Sequence, residues 1–176
     1  MRWFHWLFLI PVLFLVACSD GHDMGAMQKK GGKYYLKKAK FPFSGQAVAY
    51  FPSKKGEERR ILEQGRLQGG LREGEWVAYK WNGEWSEIPY RKGRRHGEMI
   101  VYHPNGNKKS TQEYENGKPD GVGTFFDASG DPVRHVYYVD GARKPLPEDA
   151  EGDILKKVEK LFGIFSDGFS GGGSGE

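Results

Sequence analysis

A pattern of glycine and aromatic residues recurs four times between Gly45 and Gly141, and it constrains the fold more than any other feature of this chain. Each copy contains an opening glycine, an aromatic residue five positions later, a turn glycine, and a second strand-like run that ends near another glycine. The opening pairs are Gly45/Tyr50, Gly74/Tyr79, Gly97/Tyr102 and Gly121/Phe126; the turn glycines are Gly56, Gly83, Gly106 and Gly130; the closing glycines are Gly65, Gly93, Gly117 and Gly141. Recurrence at a nearly constant period indicates an array of repeated supersecondary units.

Each copy predicts a short β-hairpin. In the third copy, Asn105-Gly106 and Asn116-Gly117 are turn dipeptides, because both residue types tolerate a positive φ at little cost. The first aromatic row (Tyr50, Tyr79, Tyr102, Phe126) and a second row (Leu62, Tyr90, Tyr114, Tyr138) should each form a rung of stacked core side chains. We therefore predict a mainly β fold, a single-layer antiparallel β-meander of four hairpins spanning residues 41–145.

These residues resemble the MORN-repeat family in its bacterial variant form, which includes proteins described as YwqK-type antitoxins. The similarity lies in the sequence Gly-x4-Tyr, Asn-Gly, Tyr-x2-Gly-x3-Gly between Gly97 and Gly121, and in Phe41-Pro42-Phe43-Ser44-Gly45, which is similar to the segment that opens such arrays. The resemblance covers about residues 41–144 and implies hairpin repeats. The first copy departs from the pattern through a longer turn at residues 52–58 and additional residues before Gly74. Pro145 replaces the last glycine, so we expect the array to end there.

The N-terminus predicts export and a lipid anchor. Residues 1–17 contain Arg2 and an apolar run from Trp6 to Val16, which is too short to span a bilayer and is typical of a signal peptide. Leu15-Val16-Ala17-Cys18 resembles a bacterial lipobox, so Cys18 is the predicted lipidation site. An ordinary signal peptide with a chance cysteine is the alternative. Cys18 is the only cysteine, which excludes an intrachain disulfide.

The predicted location is the bacterial cell envelope, with the protein held in the membrane by its N-terminal lipid. If the cell has two membranes, Ser19 after the cysteine favours the outer one, facing the periplasm or the surface, although Asp20 leaves the inner membrane open. We interpret residues 18–40 as a lipidated, solvated tether. The lysines of this segment allow a second interpretation, a basic arm on anionic headgroups.

The C-terminal residues predict an amphipathic helix over 146–166 and a flexible Gly/Ser tail over 167–176. One apolar stripe comprises Ile154, Leu155, Val158, Leu161, Phe162 and Phe165. A terminal repeat has no neighbour to bury its face, so the helix is expected to cap the last hairpin. Contact with a membrane surface is the alternative.

Composition and motifs give no indication of an enzyme. The chain has 27 basic and 23 acidic residues, and a net charge of +4 does not imply nucleic-acid binding. His96, His103 and His135 lack a metal-ligand spacing, and no nucleophile elbow, phosphate loop or carboxylate pair occurs. We therefore expect no catalytic residues, metal or cofactor.

Two groups of side chains are candidates for binding. Trp76, Trp81 and Trp85 are close in sequence and would either pack in the core or bind a glycan or a protein. Arg91, Arg94 and Arg95 are expected to form a basic corner with Lys108 and Lys109, either as solvated turns or as a site for an acidic partner.

The sequence favours a non-enzymatic envelope lipoprotein that presents a MORN-like surface to a protein partner or another envelope component. An immunity or antitoxin protein that neutralises a toxin is the alternative, and it depends on the family resemblance alone. The sequence does not identify the partner or the oligomeric state.

Overall fold

A computed structural model describes residues 21–147 and consists mainly of antiparallel β-strands. The strands are β1 (His22–Asp23), β2 (Gln28–Lys30), β3 (Lys33–Tyr35), β4 (Gly45–Tyr50), β5 (Ile61–Gln68), β6 (Leu71–Tyr79), β7 (Trp85–Arg91), β8 (Arg94–Arg95), β9 (Gly97–Tyr102), β10 (Lys108–Glu115), β11 (Lys118–Pro119), β12 (Gly121–Phe126), β13 (Pro132–Val139) and β14 (Ala142–Lys144). The mainly β, antiparallel prediction is confirmed. The predicted C-terminal helix falls almost wholly outside the described residues.

The main sheet follows the order of the chain. Each strand pairs antiparallel with the next in the order β4, β5, β6, β7, β9, β10, β12, β13 and β14. Strand β1 lies parallel to β4 at one edge. The two-residue strands β8 and β11 fold back on β7 and β10, and β2 and β3 form a separate hairpin. Neighbouring strands are therefore joined by local connections.

The connections alternate between two rims of the sheet. The proximal rim comprises segments 69–70, 92–96, 116–120 and 140–141, and the distal rim comprises 51–60, 80–84, 103–107 and 127–131. The β2–β3 hairpin sits on the proximal rim, where the Tyr34 N–H donates to Gly70 O over 2.9 Å and the Gly70 N–H donates to Phe43 O over 2.7 Å.

The proximal turns share one backbone conformation. Two consecutive residues have positive φ in each: Gly69-Gly70 (55° and 77°), Lys92-Gly93 (50° and 80°), Asn116-Gly117 (51° and 93°) and Asp140-Gly141 (49° and 86°). This is the requirement of a type I′ turn. In three of these turns the glycine at the second position also donates its N–H to a carbonyl at or next to the preceding turn: Gly93 to Arg72 O (2.8 Å), Gly117 to Arg95 O (2.8 Å) and Gly141 to Pro119 O (2.9 Å).

This series corrects the first predicted closing glycine. Gly70, not Gly65, occupies the turn position equivalent to Gly93. Gly65 lies inside β5, where it pairs with Ala47. The strand continues through Gly65 to Gln68 because the absent side chain leaves room for a ring from β6.

The distal turns are closed by short polar side chains. The Glu84 N–H donates to Asn82 Oδ1 over 3.1 Å, the Asn107 N–H to Asn105 Oδ1 over 3.1 Å, and the Ser129 N–H to Asp127 Oδ1 over 2.9 Å. The predicted turn glycines lie in these connections, and all have positive φ: Gly56, Gly83, Gly106 and Gly130. Turn chemistry of this kind favours one hairpin register at each step.

The predicted opening glycines and first-row aromatics delimit strands, with one exception. Gly45, Gly97 and Gly121 begin β4, β9 and β12, whereas Gly74 lies within β6. Each of the four strands ends at its predicted aromatic residue: Tyr50, Tyr79, Tyr102 and Phe126.

The core lies on one face of the first hairpins, which we name the core face. Ala47, Leu67 and Trp76 are buried there together with Met24. Met27, Tyr34 and Phe43 pack against this cluster, so the N-terminal segment covers the sheet. The prediction of a solvated tether over residues 18–40 is therefore wrong for residues 22–35. A few apolar side chains among many lysines are sufficient to fix the segment, because they fill the space above a small core.

Trp76 is the largest buried side chain among residues 21–147, with 1% of its surface exposed. Its indole lies against Gly65, its indole N–H donates to Arg66 O over 3.1 Å, and the Arg72 guanidinium carbon lies 4.5 Å from the ring centroid. A methyl group on Gly65 would overlap the indole.

We expect Gly65→Ala to lower the free energy of unfolding by about 2–3 kcal/mol, because the overlapping ring is held by its own hydrogen bond and cannot move freely. Gly123→Ala is the matched control within a strand. Its new methyl would meet the flexible end of Gln112 and would lie 3.0 Å from Val136 Cγ2, so its cost should be smaller. Urea unfolding of both variants measures the difference; equal losses would contradict the proposed contact.

Candidate binding surfaces

Three aromatic side chains lie side by side on the face opposite the core. Tyr79 pairs with Trp85, and Trp85 pairs with Tyr102, so the three side chains point to the same side of β6, β7 and β9. The Trp85 and Tyr102 rings are stacked, with centroids 3.9 Å apart and an interplanar angle of 10°. Tyr79 remains 36% exposed. We name these three residues the aromatic ladder and this side of the sheet the ladder face.

The ladder replaces the first predicted rung of stacked rings. We expected Tyr102 to pack between Tyr79 and Phe126, but equivalent residues of successive hairpins are two strands apart, which is roughly 9–10 Å. Trp85 lies between Tyr79 and Tyr102, and Lys108 pairs with Tyr102 on the other side. In the second row, Tyr90, Tyr114 and Tyr138 pair with Gly74, Gly97 and Gly121, respectively. The prediction of direct rungs is therefore wrong.

Three carboxylates lie on the ladder face between the ladder and the proximal rim. The Tyr102 hydroxyl donates to Glu87 Oε2 over 2.8 Å, and alternation along the strands places Glu75 and Glu98 on the same face. Burial, followed by the hydrogen bond to Glu87 and the charges of the three glutamates, raises the pKa of Tyr102 to about 12. The phenol therefore stays neutral at physiological pH. The ladder has carboxylates on the side nearer the proximal rim and Lys108 beside Tyr102.

The three tryptophans do not form one cluster. Trp76 belongs to the core, and Trp85 belongs to the ladder. Trp81 is 60% exposed on the distal rim, where its ring centroid lies 4.2 Å from that of Phe51 and 4.8 Å from the Arg60 guanidinium carbon. Trp76 and Trp85 lie on opposite faces. Tyr79 pairs with Trp85 and shares its face, and Trp76 precedes Tyr79 by three positions along β6, which places it on the other face.

The predicted basic corner is divided between the two rims. Arg91 and Arg94 pair with each other across the proximal turn and are exposed. Arg95 is partly buried, with its guanidinium carbon 4.2 Å from the centroid of Tyr114. Lys108 and Lys109 begin β10 at the distal rim, and the length of β7 separates the two groups by roughly 20 Å. The proposed contact between these groups is therefore wrong.

Glu84 is an ionic centre that the sequence analysis did not identify. Its buried carboxylate bonds Lys80 of the same turn over 2.8 Å and Lys109 of β10. The hydrogen bonds from Lys109 and Lys80 lower the pKa of Glu84 to about 2. The interaction ties the turn between β6 and β7 to a strand of the following hairpin. A glutamate directly after an Asn-Gly turn was the available sequence signal.

We expect Glu84→Gln to lower the free energy of unfolding at pH 7 by about 1–2 kcal/mol, since both lysines lose a charged acceptor. The pKa is lowered in the folded state, so this stabilisation is complete above the ordinary value of 4.5 and disappears as the pH falls to about 2. The two unfolding curves should therefore converge in acid. Glu58→Gln, at an exposed position in the 51–60 loop, is the control; a constant difference between Glu84→Gln and wild type down to pH 2 would contradict the assignment.

On the core face of β9, β10, β12 and β13, beyond the strands that the N-terminal residues 22–35 cover, lies an apolar groove of about 190 Å³. Its lining includes Met99, Val101, Phe125, Val136 and Tyr138. The apolar stripe predicted between Ile154 and Phe165 lies outside the described residues, so its packing against the last hairpin stays a prediction.

Residues 21–147 contain no group of three His, Cys, Asp or Glu side chains that could hold a metal ion. Over the same residues, no helix has the length and apolarity needed to cross a membrane. The chain matches neither a protein-family model nor a curated protein sequence, so the resemblance to MORN repeats stays a prediction from the residues.

Proposed function

We propose that this protein is a non-enzymatic envelope lipoprotein whose hairpin array binds a protein partner through the aromatic ladder. The observation that carries this proposal is the stacked Trp85–Tyr102 pair, extended in register by the exposed Tyr79. Tryptophan and tyrosine dominate the energetics of protein interfaces, because they bury a large area at a low cost in conformational entropy.

The carboxylates beside the ladder indicate the chemistry of the partner. Glu75 and Glu87 would attract a surface rich in arginine or lysine, and those cations also stack favourably on aromatic rings. A basic, partly apolar protein surface is therefore the best match to the ladder face. An immunity protein would use the same surface, and the identity of the captured partner would distinguish a toxin from another envelope protein.

The repeated backbone supports the interpretation as MORN-like hairpins. Type I′ turns recur at residues 69–70, 92–93, 116–117 and 140–141, and Asx-capped turns alternate with them on the distal rim. A C-terminal amphipathic helix that covers the apolar groove belongs to the same proposal. Arrays of this kind present extended surfaces.

Lipidation of Cys18 would hold the sheet close to the membrane. Only four residue steps separate Cys18 from His22, where β1 begins, and this distance is at most about 14 Å. The folded part of the chain would therefore sit directly on the membrane surface rather than at the end of a long tether.

Photo-crosslinking in intact cells tests the binding surface. A photoreactive side chain at Tyr79 should capture the partner, and Trp85→Ala should reduce the captured amount by about tenfold or more, as expected for an interface hot spot. Trp81→Ala is the matched control, because Trp81 is more exposed but lies outside the ladder. Capture that is unaffected by Trp85→Ala in a folded variant would exclude the ladder as the main contact.

The anchor has an independent test. Cys18→Ser should abolish acylation and cleavage by signal peptidase II, and the protein should leave the membrane fraction. Mass spectrometry of the N-terminal peptide measures the acyl groups directly. A mature wild-type protein that lacks acyl mass would contradict the lipoprotein assignment and would leave the ladder proposal intact.

A further inference from the structure

We infer that the indole of Trp81 and the guanidinium of Arg60 form a binding site for an acidic sugar, a pyranose ring that carries a carboxylate. We name these two residues the distal platform. The platform lies on the distal rim and outside the aromatic ladder, so this inference adds a second ligand to the protein partner proposed above. It does not depend on the lipid anchor.

Trp81 keeps a large aromatic surface in contact with water. Its side chain is 60% exposed, whereas Trp76 is 1% exposed. Tryptophan is highly buried on average in folded proteins, because its large apolar surface favours the interior. The exposed surface of Trp81 contributes little to the core and is therefore free to meet a ligand.

One whole face of the Trp81 indole is open. The ring centroid lies 4.2 Å from that of Phe51 and 4.8 Å from the Arg60 guanidinium carbon, and this carbon lies 5.9 Å from the Phe51 centroid. On opposite faces of the indole, the two groups would be separated by nearly the sum of the other two distances. They are much closer than that, so Phe51 and Arg60 do not enclose the ring between them.

The neighbouring loop supports the platform from below. Phe51 is buried, with 7% of its surface exposed, although the rest of the 51–60 loop is exposed. The Phe51 N–H donates to Arg60 O over 2.9 Å, which joins the two ends of the loop. This bond holds the supporting ring and the guanidinium side by side next to Trp81.

The turn that carries Trp81 is fixed by its own hydrogen bonds. The Lys80 N–H donates to Glu84 O over 2.8 Å, the Gly83 N–H donates to Lys80 O over 3.2 Å, and the Glu84 N–H donates to Asn82 Oδ1 over 3.1 Å. The Lys80 ammonium also pairs with the Glu84 carboxylate. A ligand would therefore meet a ring that is already in place, and binding would cost little conformational entropy.

Arg60 retains its hydrogen-bonding capacity. Its side chain is exposed, and none of the five ion pairs within residues 21–147 involves it. The preceding Arg59, in contrast, pairs with Asp23 over 2.6 Å and lies 3.7 Å from the Tyr50 centroid. A guanidinium offers five N–H donors in a planar fork, which matches the two oxygens of a carboxylate.

A sugar fits this geometry better than a protein side chain does. A pyranose ring has a face of C–H groups that can lie on an indole, since the face of an aromatic ring is negative and attracts positive groups. Its hydroxyls would stay in water at the edge of an open rim. Protein hot spots, in contrast, lie in desolvated pockets surrounded by other contacts.

The charge of the loop selects an acidic sugar. Residues 51–60 include four basic and two acidic side chains, and Lys54 and Lys55 are exposed. With the ring on Trp81, a carboxylate at the edge of the sugar would meet the Arg60 fork. Two sources supply this chemistry: uronic acids of polysaccharides, and the muramic acid of cell-wall glycan chains.

Calorimetric titration of the full-length protein in detergent tests the site. The probes are an oligogalacturonate, cell-wall glycan chains freed of their peptides, and a neutral chitin oligosaccharide. At least one acidic probe should bind at least about tenfold more tightly than the neutral one, because only the acid pairs with the guanidinium. The acidic probe with the lower Kd identifies the source.

Variants assign the binding to the platform. Trp81→Ala should weaken binding of the acidic probe by at least about tenfold, whereas Trp85→Ala, in the ladder, should leave it unchanged. Arg60→Gln should remove the preference for the acidic probe over the neutral one. Arg143→Gln is the matched control, because it removes the same charge from an exposed position on β14 at the other edge of the sheet.

Three outcomes would overturn the inference: no binding of either acidic probe, equal affinity for the neutral one, or affinity that is unchanged in folded Trp81→Ala. Thermal unfolding verifies that each variant is folded. The ladder proposal is judged separately by photo-crosslinking, in which Trp85→Ala and Trp81→Ala exchange their roles as test and control. Either site can therefore fail while the other stands.

Discussion

The positive φ values of the proximal turns determine most of this structure. Two consecutive residues in the left-handed region give each turn a backbone twist that matches the right-handed twist of the two strands it joins. The turn therefore fixes which residues of those strands pair. A slip of one residue in any hairpin would move every side chain to the opposite face. Trp76 would then leave the core, and Trp85 would leave the ladder. The turn glycines therefore position side chains that lie at the other end of the strands.

The two faces of the main sheet differ in how far their side chains are buried. On the core face, Met24 and its neighbours cover the first hairpins and bury Trp76. On the ladder face, rings stack on one another and a phenol bonds a carboxylate, which leaves part of their surface available. The largest buried side chain therefore lies on the core face, while Tyr79 on the ladder face stays partly exposed. The Glu84 ion pairs add a link between neighbouring hairpins at the distal rim.

The local pattern predicted the local structure, whereas contacts between distant parts of the chain were harder to infer. Glycines and aromatic residues located the strand ends, because turn conformation depends on the residues in the turn. Gly65 was misassigned because its role depends on Trp76, a side chain from the next strand. The N-terminal cover was missed because three apolar residues among many lysines give no periodic signal. The faces of Trp76 and Trp85 were predictable in principle, since alternation along paired strands separates them.

The outer strand of the sheet has a consequence for association. Strand β14 presents Ala142, Arg143 and Lys144, all exposed, and is followed by Pro145 and Pro147. Two adjacent cations repel an identical edge, and prolines provide no N–H to continue a ladder. At the other edge, the two-residue strand β1 pairs with β4 in parallel orientation and covers part of its free side. A chain with this many consecutive hairpins could otherwise add strands from its copies; these two edges give it protection against growth into fibrils.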